Sequence, residues 1–193
     1  MNIIRLMGIF TIVLMLGGCI QYTLVPVGEV SVKSIKTSTG MSWNKSPFNF
    51  GPKTTVWTAD GESLDQIIFI HDIANGETLF KNASKDVVMP HFSDAMLLHE
   101  IEDLLITSLT NLYNGQITVE SSNLRPTQFS DKNGIQFDLK YYSIDGLAIK
   151  GKAKAAVNDG KFYAIVYTAA DLHYYGKYEA EVDAILNAAS IEI

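Results

Sequence analysis

Four histidines, two tryptophans and a single cysteine are the side chains of this 193-residue chain whose chemistry would matter most. His71 precedes Asp72 and His99 precedes Glu100, pairs in which a carboxylate could orient an imidazole for acid–base work or share a metal with it. Either use needs two or more histidines to converge, and the spacing offers no such set, since His-Glu-x-x-His is absent between His91 and His99. The histidines therefore read as ordinary loop or surface residues. Gly61-Glu62-Ser63-Leu64-Asp65 lacks the second glycine of a nucleophile elbow. The 14 glycines are scattered through turns instead of gathered in a phosphate-binding loop. These patterns lead us to expect no catalytic residue, no metal and no cofactor.

The thiol is different, because its position sets its use. Arg5 precedes an apolar run, Leu6 to Leu16, that is far shorter than the roughly 20 residues a helix needs to span a bilayer. A basic start, an apolar middle and small residues at the end make a secretory signal. The run closes on Leu16-Gly17-Gly18-Cys19. This tetrapeptide resembles the lipobox of bacterial lipoproteins: an aliphatic residue, two small residues that enter a peptidase cleft, and a cysteine that takes a diacylglycerol. The resemblance implies that residues 1–18 are a leader removed on export. Cys19 would then become the diacylglyceryl- and palmitate-bearing first residue of a membrane-anchored protein. One acyl chain anchors only marginally, at about 0.8 kcal/mol per buried methylene, whereas two or three hold stably. Ile20 stands where an aspartate would resemble an inner-membrane retention signal. In a Gram-negative cell envelope the expected address is the periplasmic leaflet of the outer membrane.

Cys19 being the only cysteine, no internal disulfide can form, and stability must come from packing. Hydrophobic residues make up 47% and charged residues 19%, which suits one folded domain of ordinary size. The net charge is −6. An acidic balance argues against nucleic acid as the main partner, since phosphate binding relies on clustered Lys and Arg.

Residues 19–40 are assigned to a lipidated N-terminus, a tether and a candidate edge strand, because Pro26 and Gly28 interrupt a Val- and Thr-rich stretch. Residues 41–193 form a single α+β domain. Thr54 to Thr58 and Leu64 to His71 read as a hairpin around Ala59-Asp60-Gly61-Glu62. Ser93 is suited to cap a helix whose stripe runs through Met96, Leu97, Ile101, Leu104, Leu105 and Leu112 and which ends near Asn114-Gly115. A second amphipathic helix runs from Gly176 or Lys177 to Ala189, with Tyr178, Val182, Ile185 and Leu186 inward. Between the helices, Gln116–Glu120, Thr127–Phe129, Ile135–Tyr142, Leu147–Val157 and Phe162–Thr168 alternate with hairpin-forming breaks. The expected architecture is an antiparallel β-meander sheet packed by two amphipathic helices.

Register follows from keeping large residues opposite small ones. A three-residue loop at Ile144-Asp145-Gly146, with Gly146 left-handed, opposes Tyr141 to Ile149, Leu139 to Gly151 and Phe137 to Ala153. A like loop at Asn158-Asp159-Gly160 then opposes Tyr163, Ile165 and Tyr167 to Ala155, Ala153 and Gly151, making a recessed apolar strip for the second helix to cover. Lys150, Lys152 and Lys154 fall on the other face, expected to be solvated. Trp43 and Trp57, with Tyr174 and Tyr175, are either core anchors or the lining of a binding groove.

The Phe162-to-Thr168 strand followed by the helix through Tyr178, Val182 and Ile185 resembles the PsbP/DcrB-like fold in order of elements, which implies an α/β/α sandwich. Trp57 to Asp65, with Pro90 and Met96, resembles proteobacterial lipoproteins of no assigned activity. Neither resemblance carries over a catalytic residue. The function expected is a non-catalytic binding or structural role in the envelope, with an envelope protein or a small apolar ligand as partner. The alternative is an envelope hydrolase or metal-dependent enzyme, which would bring two histidines and an acid into one cleft.

Overall fold

The computed structural model describes residues 21–129 and 131–192. The leader 1–18 and Cys19 lie outside the described residues. In chain order the elements are β1 (Thr23–Val25), β2 (Gly28–Val32), β3 (Ile35–Thr39), β4 (Trp43–Lys45), β5 (Thr54–Thr58), β6 (Asp65–Ala74), α1 (Leu98–Leu112), β7 (Glu120–Phe129), β8 (Lys132–Tyr142), β9 (Ala148–Asn158), β10 (Lys161–Ala170), α2 (Tyr174–Ala188) and β11 (Ser190–Ile191). Eight strands make one antiparallel sheet in the order β1-β4-β5-β6-β10-β9-β8-β7, and β11-β3-β2 make a second, smaller one. The α+β class expected from the sequence is observed. The sheet is wider than the expected meander, because β7–β10 are extended through β6 by β5, β4 and β1.

Each face of the large sheet carries its own core. On one face α1 lays Ile101, Leu104, Leu105 and Leu109 over Ile135, Phe137, Leu139, Ala153, Ala155 and Val166. On the other, α2 packs Tyr178, Val182, Ile185 and Leu186 with Trp43, Trp57, Phe69, Ile165 and Tyr167, and Val32 and Ile35 of the small sheet join them. Residues 23–39 thus form three strands, and Val25, Val32 and Ile35 are buried. α1 starts later than the Ser93 cap implies: Ser93–Met96 closes only a turn, and the Glu100 carboxylate accepts the Leu97 N–H at 2.6 Å at the true start. Asn114 and Gly115, both at positive φ, end it where expected.

The β8–β9 register is as expected, with Tyr141 opposite Ile149, Leu139 opposite Gly151 and Phe137 opposite Ala153. Ser143 N–H donates to Leu147 O at 2.8 Å, closing the three-residue loop, and Gly146 has φ +80. The β9–β10 register differs by one residue. Asp159 joins Gly160 at positive φ, so the turn has two residues and Lys161 faces Asn158. Tyr163, Ile165 and Tyr167 therefore oppose Ala156, Lys154 and Lys152, on the lysine face.

Two expectations change with that slip. The Gly151, Ala153 and Ala155 strip belongs to the face covered by α1, while α2 covers the lysine face. The lysines are accordingly not solvated: Lys152 is buried against Asp183 (2.7 Å) and Glu179 (2.9 Å), and Lys154 donates to the Leu186 carbonyl at 2.6 Å. Only Lys150, paired with Asp171 at 2.8 Å, remains at the surface.

Candidate functional site

A mainly apolar concavity opens between the β8–β9 hairpin, the β5–β6 connection and the end of α1. It encloses about 420 Å³ and is walled by Phe50, Leu64, Tyr113, Tyr141, Leu147 and Ile149. The hairpin loop holds the outer wall in place through the Ser143–Leu147 hydrogen bond, leaving Ile144 and Leu147 at the rim with exposed apolar surface.

Its polar members are Glu62, Ser63, Gln66, Ser143, Asp145 and Thr168. Gln66 Nε2 donates to Thr168 Oγ1 at 3.2 Å across β6 and β10. Burial pushes the Tyr141 phenol far above its ordinary range, so it stays neutral. Glu62 differs. Its Oε2 accepts the Tyr22 hydroxyl at 2.8 Å, while Oε1 is buried and has no hydrogen-bond partner among the described residues. A buried acceptor left without a donor is costly, of the order of 1–3 kcal/mol.

The residues proposed from sequence as a groove come together on one side of the sheet, where Trp57 borders a small opening with Val25, Lys45 and Thr55. Trp43 and Trp57 are 0% and 1% exposed, packed on Tyr178 (centroids 5.5 Å) and Phe69 (4.5 Å). They are core anchors. Tyr174 and Tyr175 begin α2, and their carbonyls accept the Tyr167 hydroxyl at 3.1 and 3.2 Å. Nothing in the spacing of Glu62, Tyr141 and Ile149 marked the observed cleft, because it is assembled from segments far apart in sequence.

No group of three or more His, Cys, Asp or Glu side chains gathers for a metal among the described residues. One cluster combines residue types of a hydrolase. At a bulge in β6, where Asp72 takes φ +55, its carboxylate accepts Ser34 Oγ–H and the Tyr163 hydroxyl (3.0 Å), and lies 3.1 Å from His71 Nδ1. In a serine nucleophile relay the imidazole stands between hydroxyl and carboxylate. Here the carboxylate stands between them, so His71 cannot take the Ser34 proton. Burial holds His71 below its usual pKa despite Asp72, and for Asp72 the three hydrogen bonds outweigh a burial that alone would raise it. The cluster ties the β2–β3 turn to the large sheet.

No family model and no curated protein sequence matches the chain. Among solved structures, cyanobacterial PsbP (CyanoP) of Synechocystis sp. PCC 6803 superposes over 91% of this chain and 95% of its own, with a TM-score of 0.59 at 11% identity. The chain has a PsbP-like fold. The Ran-binding protein Mog1p of Saccharomyces cerevisiae shares this PsbP-like architecture, covering 90% of this chain and 96% of its own, with a TM-score of 0.51 and 11% identity.

Proposed function

We propose that this protein is a lipoprotein of the cell envelope, anchored through Cys19, whose PsbP-like domain works by non-catalytic binding at the β8–β9 cleft. The observation that carries the reading is the cleft itself, whose apolar wall of Phe50, Leu64, Tyr113, Tyr141, Leu147 and Ile149 is bordered by the carboxylates of Glu62 and Asp145. It favours an amphiphile or protein segment with an apolar body and a donor group, a hydroxyl or ammonium, over one ending in a carboxylate. Mog1p, of similar fold, is a Ran-binding protein, which supports a binding use of the scaffold. Lipid on Cys19 and the periplasmic leaflet of the outer membrane belong to the same proposal.

Titration with fluorescent long-chain probes of equal length tests it. The alkylamine is expected to saturate more tightly than the alkyl carboxylate. Leu147→Asp at the rim should weaken both, and Glu62→Gln should narrow the difference between them. Non-saturable uptake, or equal binding by the Leu147→Asp variant, would remove the cleft from consideration.

A further inference from the structure

We infer that the domain stands edge-on against the bilayer, resting on β1 and the β4–β5 loop. The inference rests on the anchoring of Cys19 proposed above, and adds the surface that meets the lipid. From Cys19 to Thr23, the first residue of β1, the chain advances four residues, which reach about 14 Å at full extension. By contrast, seven inter-strand steps separate β1 from β7 at the opposite edge of the sheet, about 33 Å at the usual spacing. A leash this short keeps the β1 edge at the membrane and leaves β7 facing away from it.

The residues at that edge suit such a contact. β1 pairs only with β4, so its outer side is unpaired among the described residues. Val25 turns into the core, whereas Leu24 is 65% exposed, and Val27 just beyond the strand is 59% exposed. Phe48, three residues past the Lys45 that pairs with Thr23, is 58% exposed. Tyr22 adds a partly exposed ring with its hydroxyl held by Glu62, an aromatic with one apolar and one polar end, as favoured at headgroup level. The acidic balance of the protein gives no general attraction to anionic lipid, so the contact is apolar and insensitive to salt.

The full chain, purified with its lipid and placed in phosphatidylcholine vesicles, provides the test. Cys19 is the only natural cysteine, so Leu24→Cys, Phe48→Cys and Leu124→Cys on β7 can each carry one fluorophore. Lipids bearing quenchers at known depths are expected to place the labels at 24 and 48 about 5–10 Å into the interface, at low and high salt, and to leave the label at 124 untouched. An unmodified Cys19 by mass spectrometry would overturn both the anchor and this inference. Lipid on Cys19 with unquenched labels at 24 and 48 would overturn the inference alone. Shielding of those labels that grows with protein-to-lipid ratio would also overturn it, assigning the edge to a second copy.

Discussion

Lys154 Nζ donates to the carbonyl oxygen of Leu186 at 2.6 Å, joining the middle of β9 to the last turn of α2. The ammonium sits where the helix leaves its carbonyls unpaired and its dipole is negative, and the Phe129 ring lies 5.4 Å away. Thr37 Oγ–H donates to the neighbouring Ile185 carbonyl at 2.7 Å, so both sheets grip one helix end.

Removing that contact should separate packing from charge. Lys154→Met, which keeps the stem, is expected to change unfolding free energy by less than about 1 kcal/mol, because it also relieves the burial of an ammonium. Lys154→Ala should cost about 2–3 kcal/mol in denaturant unfolding, having lost the stem as well. Burial lowers the Lys154 pKa, so the native state sheds this proton before the unfolded state does. Stability of the parent relative to Lys154→Met should therefore improve as pH rises toward the ordinary lysine value.

A second pH dependence is expected on the acid side. The native state holds the His71 pKa below 6.5, so near that pH the unfolded chain binds more protons. Its contribution is complete above 6.5 and is lost as pH falls through the native value, and Asp72 adds a loss of the same sign further down. Thermal midpoints of the parent should fall on acidification from pH 7, and His71→Asn should flatten that slope.

Gly151 leaves no room for a side chain. A Cβ there would meet the Tyr167 carbonyl oxygen at 2.4 Å and Leu139 Cβ at 3.3 Å. Gly151→Ala is expected to destabilise by about 1–3 kcal/mol, read from the shift in denaturant midpoint.

Burial of both tryptophans has a direct optical consequence. Native emission should be blue-shifted and inaccessible to iodide, and Trp57→Ala should cost about 3–5 kcal/mol. Iodide quenching of the folded protein would return Trp43 or Trp57 to a surface groove.

The sequence discloses this fold unevenly, and β9–β10 shows why. Thr54–Thr58, the buried stripe of α2, the Ile101, Leu104 and Leu105 part of that of α1, and the β8–β9 register were legible, whereas Leu97, expected inward, is exposed. At Asn158-Asp159-Gly160 two loop lengths fit the same residues, and the choice turns on whether Asp159 takes a left-handed conformation. A slip of one residue exchanges the faces, so helix α2 was expected over the alanines and lies over the lysines. The signal that could have decided it was Glu179 and Asp183, one helical turn apart, matching Lys152 in charge. The cleft was less legible, since Glu62 and Tyr141 are far apart in sequence and meet only through the crossing from β6 to β10 and β9.

The most direct test of a lipid-anchored binding domain is the mass of the N-terminal peptide of the mature protein isolated from membranes. The expected peptide begins at Cys19 and carries a diacylglyceryl group, with labelled palmitate incorporated by the parent and absent from Cys19→Ser. A mature chain that begins at another residue, or that begins at Cys19 with a free thiol, would contradict the account.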